Sequence, residues 1–295
     1  MGLTNSGGFY VDTGSGQGGS TVTIGGALTD SGTLQLGPGD FSLSSPDQVT
    51  AAGLNNTGTI NLYGNATEGT TNQATLDITS GAAPATWIGA ANLAGDALLE
   101  FASGQITSIA AGATLTLNNL NGAQSRVADA SDTTSNSALT QLASNTGTFE
   151  IVNDAGLADQ ATSTLTNSGT FVLEDITSFS TLAGVGFANS GPFYVDNGSG
   201  QGGSTVTTGG TLTKSGYIQI GTGNQNLSAP TTVTATTLTN TTTGTITLIG
   251  NATAKRSRNA VGDLSLGDAK SGQSAHGRRP LVGSRVLWRP PSIHR

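Results

Sequence analysis

A five-residue segment, L-T-N-S-G, recurs along this chain, and its spacing restricts the fold more than any other feature. It stands as LTNSG at 3–7, LTDSG at 28–32, LNNTG at 54–58, LTNSG at 165–169, FANSG at 187–191 and LTKSG at 212–216. Looser copies are SNTG ending at Gly147 and TTTG ending at Gly244. Two residues after each glycine comes Phe9, Leu34, Ile60, Phe149, Phe171, Phe193, Ile218 or Ile246. Four after comes Val11, Leu36, Leu62, Ile151, Leu173, Val195, Ile220 or Leu248. The residue between is mostly polar or amphipathic, as Tyr10, Gln35, Asn61, Glu150 and Tyr194. Such period-two alternation marks a strand with one buried face. The Asn-Ser-Gly before it is turn chemistry, because Asn tolerates and Gly freely adopts the left-handed region.

The intervals between motif glycines are 25, 26, 22, 22, 25 and 28 residues, with one gap of 89 between Gly58 and Gly147. The gap has room for about four such units and holds weaker strands such as ATLDI (74–78) and ATLTL (113–117). One unit contains three strand-like pieces, for example STVTI (20–24), ALT (27–29) and TLQL (33–36). Three short strands per 22–28 residues predict an all-β chain, a right-handed parallel β-helix (solenoid). At about 4.8 Å per coil, about ten coils over residues 1–253 extend about 50 Å. Apolar columns fill its interior, and turn asparagines bond from coil to coil. A β-sandwich array is the alternative, but its repeats run to about 100 residues. Residues 83–101 and 123–145 lack the motif and are expected as excursions.

A longer duplication overlies the repeat. NSGGFYVDTGSGQGGSTVT (5–23) and NSGPFYVDNGSGQGGSTVT (189–207) agree at 17 of 19 positions, at an offset of 184. GTINLYGNAT (58–67) matches GTITLIGNAT (244–253) at an offset of 186. Each long copy carries a GxGxxG loop, at Gly14/Gly16/Gly19 and Gly198/Gly200/Gly203. Dinucleotide binding needs a helix after such a loop, so that its amides face the pyrophosphate. STVTIGGALT has the pattern of a strand, so the loops are expected to be bends between coils, with no nucleotide. A calcium-binding nonapeptide needs Asp after GGxGx, which neither loop supplies, although Asp12 and Asp196 lie just upstream.

Composition narrows the chemistry. The chain has no cysteine, and charged residues are 10% of it, far below the usual quarter. Residues 1–253 hold sixteen acidic residues and two basic ones, Arg126 and Lys214. That is too few cations to grip a nucleic acid or a polyanionic polysaccharide. No apolar run reaches the length of a membrane helix. The start Met1-Gly2-Leu-Thr-Asn-Ser6 fits a myristoylation pattern, but LTNSG recurs within the chain as a structural motif.

Turn–strand units of the type L-x-N-[ST]-G-x-[LFI]-x-[LVI], rich in Gly, Thr and Asn and poor in Lys and Cys, resemble the passenger regions of bacterial type V secreted proteins. These are the autotransporter adhesins and filamentous-haemagglutinin-like proteins. The resemblance covers residues 1 to about 253. It implies export to the cell surface or exterior, a β-helical stalk, and adhesion to a host or abiotic surface, to glycan or to itself. Membrane attachment would come through a translocator domain, and the chain reads as an internal fragment.

Residues 1–253 contain no histidine, so a Ser-His-Asp triad is excluded there. Glycan-cleaving β-helices use paired carboxylates. The candidates are Glu150 with Asp154, Glu174 with Asp175, and Asp129 with Asp132. Surface and turn acids have the same pattern, and no catalytic, cofactor or metal residue is assigned. Trp87, Tyr10, Tyr63 and Tyr194 are candidate sugar-stacking points. Six N-x-[ST] matches, such as Asn65-Ala-Thr67 and Asn251-Ala-Thr253, are the chance yield of an Asn- and Thr-rich chain.

From Ala254 the motif stops. Residues 254–295 hold nine basic and two acidic residues and both histidines, His276 and His294. Read one nucleotide later, the codons of AHGRRPLVGS (275–284) permit L-T-G-D-A-L-L, close to LAGDALL at 93–99. A frame slip near Lys255 would make this tail disordered, out-of-frame protein. An open last coil would then favour aggregation. The leading expectation is a non-catalytic structural or adhesive stalk. A β-helical carbohydrate-active enzyme and a pure spacer for a domain coded elsewhere are the alternatives.

Overall fold

The computed structural model describes residues 1–66, 72–153, 155–198, 202–222, 227–241 and 243–249, and the backbone of 263–266. The described residues are 54% strand, and no α-helix is found among them. It divides into two compact units, Met1–Leu157 and Ala158–Arg295. Each is a parallel β-solenoid, and between them they carry about nine turns with a period of roughly 26 residues.

In the first unit the motif strand forms six rungs: Gly8–Val11, Thr33–Leu36, Thr59–Tyr63, Ala90–Ala94, Thr114–Asn118 and Thr148–Val152. All pair in parallel, in the register set by the motif. One buried column runs Phe9, Leu34, Ile60, Ala91, Leu115, Phe149, and its neighbour runs Val11, Leu36, Leu62, Leu93, Leu117, Ile151. From the second rung onward every one of these side chains is fully buried. A second sheet stacks Leu3–Asn5, Thr21–Asp30, Asp47–Asn56, Ala74–Ala82, Ala97–Ser103 and Ser125–Asp129. The pieces at 20–24 and 27–29 are one strand with a bulge, where Gly25 and Gly26 stand against Ala52 alone.

The second unit repeats the plan. Thr170–Glu174, Pro192–Val195, Tyr217–Ile220 and Thr245–Leu248 are its motif rungs. Leu165–Asn167, Phe187–Asn189, Thr205–Lys214 and Thr232–Asn240 stack beside them. Phe171, Phe179, Phe187 and Phe193 are buried together, with ring centroids 5.1–6.3 Å apart. Edge and tilted contacts of this kind add about 0.5–1.5 kcal/mol per pair beyond burial. Asp263–Leu266 adds one more parallel strand on Thr232–Ala235. The rest of the expected disordered tail lies outside the described residues.

Three expectations need correction. The gap between Gly58 and Gly147 spans three turns rather than four, because its rungs start at 59, 90, 114 and 148 and two of the turns are long. Residues 83–101 are no excursion. They supply Thr86–Trp87, Ala90–Ala94 and Ala97–Ser103, each paired in register. Within 123–145 the departure is confined to 130–143, between the strands Ser125–Asp129 and Ser144–Asn145. Even there Ala138, Leu139 and Leu142 are fully buried, and Asn136 accepts from Val127 N at 3.0 Å.

The third correction concerns the motif glycine. None of the eight has positive φ. A Cβ on Gly32 would lie 2.1 Å from the Gly7 carbonyl oxygen, on Gly58 2.3 Å from that of Gly32, and on Gly191 2.1 Å from that of Gly169. The same carbonyls accept backbone bonds from the next coil, as Thr33 N to Gly7 O at 2.7 Å and Thr59 N to Gly32 O at 2.8 Å. Glycine is required because the turns stack backbone on backbone. Gly7 has nothing within 4 Å of its Cβ position. Gly32→Ala is therefore expected to cost about 1–3 kcal/mol, the range for overpacking against atoms that cannot yield, while Gly7→Ala is near neutral. Denaturant unfolding of the two variants measures the contrast.

Candidate functional site: the asparagine column, the outward rows and the glycine-loop junctions

Within each unit the described residues two before the motif glycines form a buried polar column. Asn5 Oδ1 accepts from Gly7 N at 3.2 Å, and its Nδ2 reaches Thr33 O in the next coil at 3.0 Å. Asn56 repeats this with Gly58 N at 3.1 Å and Ala90 O at 3.3 Å. In the second unit Asn167 donates to Asn189 Oδ1 at 2.7 Å and to Pro192 O at 3.1 Å. Asn189 donates to Tyr217 O at 3.1 Å. The side chain closes its own turn and clamps the one above, as expected for turn asparagines.

Two ions interrupt these columns. Asp30 stands between Asn5 and Asn56, fully buried. Its Oδ1 accepts from Asn5 Nδ2 at 2.6 Å, and its Oδ2 has no partner. Burial pushes its carboxyl up, against the Asn5 bond. At the equivalent place in the second copy is Lys214, also fully buried, with Nζ 3.3 Å from Asn240 Oδ1. Burial lowers its pKa. The other basic residue of the repeat, Arg126, pairs with Asp96 at 3.3 Å. Both cations of residues 1–253 are thus turned inward or spent on a partner.

The outward row of the motif face runs Tyr10, Gln35, Asn61, Asn92, Thr116, Glu150 in the first unit. Asn92 donates to Asn61 at 2.9 Å and Thr116 to Glu150 at 3.3 Å. In the second unit the row is Val172, Tyr194, Gln219, Thr247. Tyr194 packs against Tyr217 with centroids 5.9 Å apart. Tyr10 is 60% exposed. Tyr63 is half-buried against Phe41. Trp87 is core, 1% exposed, with its indole N–H donating to Thr114 O at 3.2 Å, so it offers no sugar platform.

Of the carboxylates chosen from the sequence, those whose bonds are described are engaged in local turns, bends or a neighbouring strand. Asp129 and Asp132 each close a local turn, accepting from Ser131 N and from Thr134 N at 2.9 Å. Asp175 has positive φ and donates its N–H to Asp196 at 2.8 Å, which places it at a chain bend beside Glu174. Glu150 bonds Thr116, and Asp154 lies outside the described residues. Register instead pairs Asp77 with Glu100, one coil apart and both outward. Burial raises both, and Asp77 adds to the rise at Glu100. Their separation of 23 in sequence hid them, although the ATLDI and ALLE strands contain them. Among the described residues no cluster of three or more acidic or histidine side chains is placed to hold a metal.

The first glycine loop is a bend: Gln17 N bonds Gly14 O at 3.1 Å, Gly16, Gly18 and Gly19 have positive φ, and the strand Thr21–Asp30 follows. No helix N-terminus faces it. Of the second loop, Gly198, Gly202 and Gly203 are described, and the strand Thr205–Lys214 follows. Both loops end on a serine amide held by the upstream aspartate. Ser20 N donates to Asp12 at 3.2 Å, and Ser204 N to Asp196 at 3.0 Å.

Asp30→Asn returns a donor to the interrupted column and removes a buried acid with an orphaned oxygen. A gain of about 1–3 kcal/mol is expected. A raised carboxyl contributes stability at low pH that is lost as pH rises through its folded value. The gain is therefore larger at neutral pH than near pH 4, which thermal melts at the two pH values measure. The chain matches no family model, no curated protein and no solved structure.

Proposed function

We propose that this chain is a non-catalytic stalk or adhesive segment of a secreted or cell-surface protein, working through the outward rows of its solenoid. The observation that carries the reading is the contrast between the two sides of each strand. The inward columns of the motif strands are apolar, and the buried polar column beside them is spent on bonds within and between coils. The outward rows present chiefly neutral amides, hydroxyls and tyrosines, with a few carboxylates such as Asp77, Glu100 and Glu150 and with both basic groups withdrawn. A surface of that kind suits many weak, repeated contacts with a neutral surface or glycan. It does not suit gripping a polyanion or assembling a single reaction centre. The turn–strand motif and its resemblance to type V passengers support placement outside the cell.

The registered pair Asp77 and Glu100 favours one alternative, a glycan-cleaving enzyme. The test uses the purified chain on neutral glycans, abiotic surfaces and immobilised chain. Saturable retention without release of reducing ends is expected, and it falls when Tyr194 and Tyr217 are both changed to Ala. Cleavage that disappears in Glu100→Gln establishes the enzyme instead. Retention on none of the surfaces leaves the spacer reading.

A further inference from the structure

The duplication places the same loop junction in the molecule twice, with one buried residue exchanged. In the second unit Asp196, upstream of the glycine loop in sequence, is fully buried. Its Oδ1 accepts from Ser204 Oγ at 2.7 Å and its Oδ2 from Ser204 N at 3.0 Å. The hydroxyl of Thr231, from the next coil, also donates to Oδ2. Every oxygen of the carboxylate meets a donor, as a buried anion requires.

In the first unit Asp12 takes the place of Asp196, Ser20 that of Ser204, and Asp47 that of Thr231, each at the offset of 184. Asp47 is fully buried. Its Oδ1 accepts from Gly19 N at 2.8 Å and Ser20 N at 3.0 Å. Its Oδ2 meets no donor, and Asp12 is its charged neighbour. Around it the coil before supplies Asp12, Gly19 and Ser20, and the coil after supplies Gln73 and Ala74. Asp12 is the one titratable group among these. Asp40, in the same connector, is turned to Ser42, and Asp96 is held by Gln73 and Arg126. No cation faces the pair among the described residues, so two ionised carboxylates would repel without relief.

We propose that Asp47 is carried as the neutral acid and that its Oδ2–H donates to the Asp12 carboxylate, as the Thr231 hydroxyl donates to Asp196. The first glycine loop is then clasped to the next coil by a proton, and the second by a hydroxyl. Loss of that proton to solvent leaves two facing anions and opens the first clasp. The second has no such group to titrate.

Burial, together with the Asp12 side chain, pushes the Asp47 carboxyl up to about 6, against the N–H bonds from Ser20 and Gly19. Because the folded value is raised, the clasp is complete at low pH and is lost as pH rises through about 6.

The test is hydrogen exchange at the amides of Gly19 and Ser20, corrected for intrinsic rate, at about pH 5 and about pH 7.5. In the unaltered chain protection is expected to fall by several-fold at the higher pH, while Gly203 and Ser204 stay level. Asp47→Thr should abolish the difference, and Thr231→Asp should install it at Ser204. The carboxyl carbon of Asp47, followed by NMR in the unaltered chain, gives a second measurement independent of how the variants fold. A titration in the ordinary range for aspartate overturns the proposal. So does a pH difference that survives Asp47→Thr. Protection restored at the higher pH by added calcium alone reassigns the pair as a cation site and equally overturns the proton.

Discussion

Within each unit, neighbouring coils are hydrogen-bonded to one another through their backbones, at the spacing of neighbouring strands, about 4.8 Å. That one contact decides what every position in the sequence can be. A side chain packs chiefly against the residues that hold its own place in adjacent coils. Leu34 meets Phe9 and Ile60, and Phe193 meets Phe171 and Ile218. An apolar position tolerates this repetition, because Leu, Ile, Val and Phe interdigitate in any order. Where backbone meets backbone, as at Gly32 over Gly7, there is room for no side chain at all.

The same constraint makes charge the hardest thing to place. A neutral amide both donates and accepts, so a column of asparagines satisfies itself: Asn167 gives to Asn189, which gives to the carbonyl of Tyr217. An aspartate only accepts and a lysine only donates. Two like ions in one column would sit in direct contact out of water. Asp30 and Lys214 accordingly stand singly, each with asparagine in the coils on both sides. Asp30 pays for its place with an oxygen that finds no donor.

Much of this was legible in the residues alone. Counting from the glycine gave the inward columns and the outward row, because period-two alternation reports burial directly and the fixed turn keeps its phase. Three things were hidden. The reason for the glycine lies in contact with another coil, which its own turn does not reveal. The turns between Gly58 and Gly147 lack the Asn-Ser-Gly signal, so Ala90–Ala94 looked like a departure, although its register is as regular as its neighbours'. Cross-coil partners such as Asp77 and Glu100, or Asp12 and Asp47, depend on the exact number of residues in each turn. Pairs close in sequence, such as Glu174 and Asp175, point toward a site only when the backbone happens to fold them that way.

The two long copies separate what the fold demands from what it leaves open. Past their near-identical start they have diverged, and the shared residues are those with a packing or backbone task. Leu34 and Leu36 become Ile218 and Ile220 in the same columns. Gly37 and Gly221 both hold positive φ, and Gln35 and Gln219 both donate to the carbonyl of that glycine at 3.0 Å. Outward positions without such a task differ: Thr33 against Tyr217, Gln48 against Thr232. Tyr217 then gains a ring partner in Tyr194, a pairing its counterpart threonine cannot form. Inward residues therefore specify a generic solenoid, and the chemistry that distinguishes one stretch of surface from another lies in the outward rows, where substitution costs the stack little. A binding preference of this chain, if drawn along its length, must be a property of rows read across coils rather than of any single turn.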